Sequence, residues 1–318
     1  MSNDILVITE HLNGKVADIS YEMVGKAKSL AADLGGSAVA VVLGNGAASL
    51  AGTFGSDSTL YVEDAALEQY NPQAYSEVVA ALVAERQPRL VMFGYTSMGM
   101  DVASWLSIKA GAAHIAYVSN VSADGGSLTV TSQLYGRKMA AESVPDGDTV
   151  IVSVLAGAFP ADAGQGSTAA EQVGSPADLS GLKVKFLKLI EPEGGDVDIT
   201  GEDKLVAIGR GIGSADDIEV AQELAEALGA AVAASRPLID AGWLPKTRQV
   251  GKSGLSVKPK LYLALGISGA PEHVEGMSGA ELIIAVNTDP NAPIFDVAHY
   301  GATCDLFDVV EGLLEKLD

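Results

Sequence analysis

The chain has 318 residues, more than the roughly 100 to 200 of a typical single domain, and so predicts two domains. Hydrophobic residues make up 48% and aromatics 5%, with 36 glycines, which argues against disorder or fibre and suits Val/Ile/Ala-rich parallel sheets with tight turns. Its 41 acidic against 20 basic side chains give a net charge of −21, which repels the phosphates of nucleic acid and of anionic membranes and argues against both as partners.

The N-terminus runs from Met1-Ser2-Asn3-Asp4 straight into an apolar strand at 5–8, with no basic region or cleavage site, and no apolar run reaches membrane-spanning length. A cytoplasmic protein with no membrane insertion is expected. Strands at 38–43, 90–94 and 150–155 alternate with amphipathic helices at 21–34, 74–86 and 101–110, the signature of an α/β sheet with right-handed crossovers. Between 115 and 134, two strand-like runs flank Ala123-Asp124-Gly125-Gly126, a hairpin signal that adds an antiparallel edge and makes the sheet mixed.

From 159 to 181 the chain is rich in Ala, Gly and Ser and contains Pro160 and Pro176. A strand-like run at 184–190 leads into Glu191-Pro192-Glu193-Gly194-Gly195-Asp196, where the domain boundary is drawn. This gives an N-terminal α/β domain over 1–191 and a second, smaller one over 192–318. In the second, strands at 205–208, 231–234, 261–265 and 282–286 and helices at 216–228 and 306–317 predict a doubly wound parallel sheet.

Three Gly/Ser clusters fall in the second domain. Gly209-Arg210-Gly211-Ile212-Gly213-Ser214 sits between a strand and a helix, where glycines let a phosphate approach the backbone and the helix start offers unpaired N–H groups. The last glycine of the dinucleotide fingerprint is replaced by Ser214, so phosphate binding and a plain tight turn both stay open. Gln249-Val250-Gly251-Lys252-Ser253-Gly254 and Gly266-Ile267-Ser268-Gly269-Ala270 complete the set, the last directly after a strand, and together they point to one crevice at the carboxyl ends of the strands.

Between 230 and 260 there are six basic residues, Arg236, Lys246, Arg248, Lys252, Lys258 and Lys260, and one acid, Asp240, against the trend of the chain. A bound pyrophosphate and a docking surface for an acidic protein both account for such an island. One cysteine, Cys304, excludes an internal disulfide, and four scattered histidines give no metal-ligand set. No nucleophile and base stand together, so a bound cofactor is expected to carry the chemistry.

The runs "IGRGIG", "ASRPLIDAGWLPKTRQVGKSG", "LYLALGISGAPEH", "IIAVNTDPNAPIF" and "YGATCDLFDVV" resemble, in order and spacing, the FAD-binding domain of electron transfer flavoprotein alpha subunits. The opening "LVITEHLNGKVADISYEMVGKAKSL" is similar to that family's first domain. The resemblance implies one FAD in this chain and a heterodimer with a beta subunit holding AMP or a second FAD. It also implies electron transfer from flavoprotein dehydrogenases, amine-type ones on the "DAGWLPKTRQVG" run, to an acceptor such as a quinone oxidoreductase. The protein is then an electron carrier and not an enzyme. An NADH-dependent bifurcating complex is the alternative within redox chemistry, and an adenine-nucleotide-binding module without a redox role is the alternative outside it.

The same resemblance implies roles position by position. Arg210 and Ser235 contact the pyrophosphate, and Val250, Gly251, Lys252 and Ser253 line the flavin and ribityl chain, with Ser253 near flavin N5. Ser268, Gly269, Ala270, Pro271, Glu272 and His273 wrap the cofactor, and His273 reaches toward the flavin C2 carbonyl. Arg236 and Gln249 flank the ring, while Asn287, Asp305 and Leu306 hold the adenosine end. Arg236, Ser253 and His273 are the expected flavin-tuning residues, the first and last by stabilising the negative charge that an incoming electron places on the ring. The chain departs from the family at Lys252, where Gln is usual, at Pro271-Glu272, and at Leu155-Ala156, where Arg-Pro is usual. Lys252 is expected to offset the charge of Glu272 where the two meet. The family also implies that the FAD domain swivels as a body, with 191–203 as the hinge.

Overall fold

The computed structural model describes residues 2–135, 138–189 and 197–317. The chain divides into two compact units, Met1–Lys188 and Leu189–Asp318. The expected boundary at 191/192 and residues 191–196 of the expected hinge lie outside the described residues.

The first unit begins with β1 (Ile5–Ile8), a short antiparallel pair β2 (His11–Leu12) and β3 (Lys15–Val16), and α1 (Asp18–Leu34). There follow β4 (Ala38–Gly44), α2 (Ala48–Ala51), β5 (Ser58–Glu63), α3 (Pro72–Arg86), β6 (Leu90–Gly94) and α4 (Ser97–Ala110). The unit closes with β7 (Ala113–Asp124), β8 (Ser127–Leu134), β9 (Met139–Ser143), β10 (Val150–Val154) and β11 (Ala170–Gly174). Nine strands form one mixed sheet in the order β11-β5-β4-β1-β6-β10-β7-β8-β9. It is parallel from β11 to β7 and antiparallel along β7, β8 and β9.

Alternation in β1 builds the two cores. Ile5 and Val7 pack with Met23 and Leu30 of α1, whereas Leu6 and Ile8 share the other face with Val78 of α3 and Leu106 of α4. Helix α3 starts where Asn71 accepts hydrogen bonds from the Gln73 and Ala74 N–H groups, with Pro72 in its first turn, and α1 stops at Gly35 with φ +70°.

Two readings of this unit change. The stretch 159–181 contains β11, which pairs in parallel with β5 as an edge of the sheet. The run at 184–189 has no regular structure: Leu187 is 91% exposed and Phe186 47%, so its apolar residues have no sheet to join. Ile190 lies outside the described residues.

The second unit comprises β12 (Lys204–Ile208), α5 (Ile218–Leu228), β13 (Ala231–Ala234), α6 (Arg236–Asp240) and β14 (Leu261–Leu265), then α7 (Pro271–Met277), β15 (Leu282–Val286), β16 (Tyr300–Ala302) and α8 (Leu306–Leu317). Its five strands are all parallel, in the order β13-β12-β14-β15-β16. One core joins Val206 and Leu263 to Leu224 of α5 and Val310 of α8; the other joins Leu205 and Tyr262 to Met277 of α7. Helices therefore cover both faces, as the doubly wound expectation requires.

Candidate functional site

In the order 2-1-3-4-5 the connections from the first and third strands leave in opposite directions, and a crevice opens between them at the carboxyl edge of the sheet. Here those strands are β12 and β14. The crevice encloses about 860 Å³, toward the upper end of the roughly 300–1,000 Å³ typical of small-molecule and cofactor sites. Arg210, Ser235, Arg236, Gln249, Val250, Gly251, Lys252, Ser253, Ser268, Ala270, Glu272 and His273 all line it. The three Gly/Ser clusters thus meet at one place, joined by the loop after β13.

Backbone contact brings the loops together, and glycine allows it. Gly209 and Gly211 donate to Leu265 O at 2.9 Å and to Gly266 O at 3.1 Å. A Cβ on Gly209 would lie 2.3 Å from Gly266 O, and one on Gly266, with φ +63°, would lie 2.7 Å from Gly211 Cα. These glycines serve close packing between β12 and β14. At the end of the first cluster, Asp217 Oδ2 accepts from Ser214 N–H at 3.0 Å and from Ser214 Oγ at 2.7 Å. That loop is a capped tight turn from which only Arg210 lines the crevice.

The second and third clusters are tied main chain to main chain. Val250 N–H donates to Ala234 O at 2.9 Å, and Lys252 N–H to Glu272 O at 2.7 Å. Lys252 and Glu272 thus meet along the main chain. Buried Gln249 fixes Ser253, its Nε2 donating to the hydroxyl at 2.9 Å. At the rim, Arg236 Nε bonds Asp240 Oδ2 at 3.2 Å one turn along α6, with side chains 67% and 62% exposed.

His273 is 6% exposed, and its Nε2 lies 2.9 Å from the hydroxyl of fully buried Tyr262. Its Nδ1 is the one buried side-chain polar atom without a well-formed hydrogen bond among the described residues. Burial drives the imidazole pKa down to about 4, partly offset by the Val250 backbone. The ring is neutral at physiological pH.

Five expected residues, Gly269, Pro271, Asn287, Asp305 and Leu306, do not line the crevice. Gly269, with φ +85°, lets the loop pass Ile294 N, and Pro271 occupies the first turn of α7. Asn287, just past β15, donates from Nδ2 to Ile267 O at 2.9 Å, so it braces the third cluster. Asp305 Oδ1 accepts from Phe307 N–H at 3.0 Å as α8 starts, and Leu306 is buried beside Gly266. Pro237, Asp240, Gly266 and Ile267 line the crevice although no role was expected of them.

The basic island does not form one patch. Arg236 and Lys252 border the crevice, while Arg248 donates to Val232 O at 2.8 Å, Lys260 pairs with Asp203 at 2.8 Å, and the Lys258 stem lies against Gly279.

The description "Electron transfer flavoprotein domain" matches residues 5–178, and "Electron transfer flavoprotein FAD-binding domain" matches residues 198–278. The chain is 37% identical to the electron transfer flavoprotein subunit alpha of Methylophilus methylotrophus, covering 98% of each chain. This chain belongs to the electron transfer flavoprotein alpha subunit family. It is also 33% identical to the subunit alpha of Thermoanaerobacterium thermosaccharolyticum, over 99% of this chain and 97% of that one. A third relative, 32% identical over 99% of this chain and 95% of its own length, is the acryloyl-CoA reductase electron transfer subunit beta of Anaerotignum propionicum.

As a member of this family the protein is a flavin-binding electron transfer subunit, and every residue that lines the crevice falls inside the match to the FAD-binding domain. The chemistry of the donor set agrees with a dinucleotide. Arginine side chains at 210 and 236 suit a pyrophosphate or an electron-rich ring edge, and an unpartnered imidazole nitrogen suits a carbonyl. No helix among the described residues is long and apolar enough to cross a membrane.

Proposed function

We propose that this chain carries FAD in the crevice of its second unit, pairs with a beta subunit holding AMP or a second FAD, and relays electrons singly in the cytoplasm. The donors on this reading are flavoprotein dehydrogenases, amine-type ones included, and the acceptor is a quinone oxidoreductase or similar partner. The observation that carries the reading is the coincidence of the FAD-binding family match with one crevice where three separate loops converge. When bound, FAD supplies the ability to hold one electron or two.

The chain's own residues bind and tune. Arg210 and Ser235 are assigned to the pyrophosphate, Arg236 and Gln249 to the flanks of the ring, Val250 to Ser253 to the ring and ribityl chain, and Ser268 to His273 to the opposite side. Asn287, Asp305 and Leu306 remain assigned to the adenosine end. Arg236 offers a positive charge that favours electron-rich states of the ring, and Asp240 at 3.2 Å reduces that field. Replacing Arg236 by Ala is expected to lower the potential for the first electron, and Asp240→Asn to raise it, each by tens of millivolts, the scale of a charge interaction of about 1 kcal/mol. Spectroelectrochemical titration of the FAD-loaded protein measures both. Equal potentials in parent and Arg236→Ala would remove Arg236 from the ring.

A second reading is a bifurcating complex that takes electrons from NADH; the likeness to an acryloyl-CoA reductase electron transfer subunit supports only its general part, a subunit that serves a larger reductase complex. NADH-dependent bleaching of the flavin once the beta subunit is supplied distinguishes it from the first.

A further inference from the structure

We infer that Tyr262 is a positioning residue: by donating its hydroxyl proton to His273 Nε2 it fixes the imidazole as the Nδ1–H tautomer, so that the unpartnered nitrogen is a neutral donor awaiting an acceptor. The inference rests on the FAD reading for the identity of that acceptor, and on this structure alone for the tautomer.

The argument is a count of unsatisfied groups. Tyr262 is fully buried in β14, and among the described residues the one hydrogen-bond partner of its hydroxyl is His273 Nε2 at 2.9 Å. Burial pushes the phenol pKa far upward, so the hydroxyl keeps its proton. With the phenol donating to Nε2, the ring proton sits on Nδ1 and a single buried group, that N–H, lacks a full partner. With the proton on Nε2 instead, the phenol can only accept, its own proton has nowhere to go, and Nδ1 becomes an unmatched acceptor. Two orphans replace one, each costing on the order of 1–3 kcal/mol. An imidazolium leaves the same phenol proton stranded and adds a buried charge.

It follows that His273 acts on a ligand through a hydrogen bond and not through a full charge, which leaves charge stabilisation to the arginines of the crevice. Tyr262 also holds the ring from behind: it stands in a central strand of the parallel sheet, paired with Leu205 on one side and Ile283 on the other. A rigid strand is a better reference point for a tuning group than a loop.

The test uses the full chain labelled with 15N-histidine at pH 7.5, with His273 assigned by its loss in His273→Asn. The expected spectrum shows a protonated Nδ1 and a hydrogen-bonded, unprotonated Nε2. In Tyr262→Phe, which keeps the ring volume and removes the hydroxyl, the Nε2 resonance is expected to shift to the position of an unbonded or protonated nitrogen. A protonated Nε2 in the parent overturns the inference even where the variant fails to fold, and so does an Nε2 resonance unmoved in Tyr262→Phe. FAD uptake by the same sample reports separately on the cofactor reading: a parent that binds no flavin yet shows the Nδ1–H pattern upholds the tautomer and removes the acceptor assigned to it.

Discussion

His273 shows how one buried side chain ties stability to the proposed chemistry. Its folded pKa of about 4 lies below the ordinary 6.5 because burial disfavours the cation. Between those values the unfolded chain binds the proton that the folded one refuses, so this group's contribution is fully present above pH 6.5 and is lost as pH falls toward 4. The loss amounts to about 3 kcal/mol at most. His273→Leu is therefore expected to lose less stability than the parent over that range in urea unfolding at a series of pH values; parallel pH profiles would place His273 in water. The residue was legible in the sequence because it ends the Gly-Ile-Ser-Gly-Ala run that follows a strand. Tyr262 was not, since within Leu-Tyr-Leu-Ala-Leu an aromatic reads as core, and only the register of β14 against α7 brings its hydroxyl to the imidazole. Asp240 was visible only as a lone acid, because its pairing with Arg236 needs the short helix that places them one turn apart.

The loops that build the crevice depend on where glycine is required by contact and where only by backbone angle. Gly266 has both constraints: φ +63° and a Cβ position 2.7 Å from Gly211 Cα and 3.0 Å from Leu306 Cδ2. Gly229, which ends α5 at φ +58°, has open space around its Cβ position. Gly229→Ala is expected to cost about 1 kcal/mol, the ordinary penalty of a left-handed alanine. Gly266→Ala is expected to cost at least 2 kcal/mol and to weaken FAD binding, because the β12 and β14 loops must separate. Urea unfolding and FAD titration of the two variants check this; equal costs would show that the loops are not in contact. Apolar periodicity revealed most of the parallel strands, since buried β1, β4, β6 and β10 are continuous hydrophobic runs. It missed β5, β16 and β11, the last with an Ala-Glu-Gln-Val-Gly run largely exposed at the sheet edge, and it overread 184–189, where apolar residues occur without a neighbouring strand.

Across the whole molecule, one α/β unit has a mixed sheet and the other an all-parallel sheet, and the second has a crevice at its switch point. Length and the alternation of strand-like and helix-like runs were enough to predict two α/β domains, and the Gly/Ser clusters were enough to predict one convergent site. The internal roles of the clusters were not legible: the first spends its glycines on packing, while the second and third supply most of the lining. The basic island was read as a unit because its members are neighbours in sequence, yet strand and loop directions send Arg248 and Lys260 into other contacts. The central claim, that the crevice holds FAD, is tested most directly by purifying the chain with its neighbouring subunit, unfolding that chain after separation and counting the flavin it releases. One FAD per chain, lost when Arg210 and Arg236 are both replaced by Glu in a folded variant, is the expected result; a folded, colourless chain that takes up no FAD when it is supplied would contradict the account.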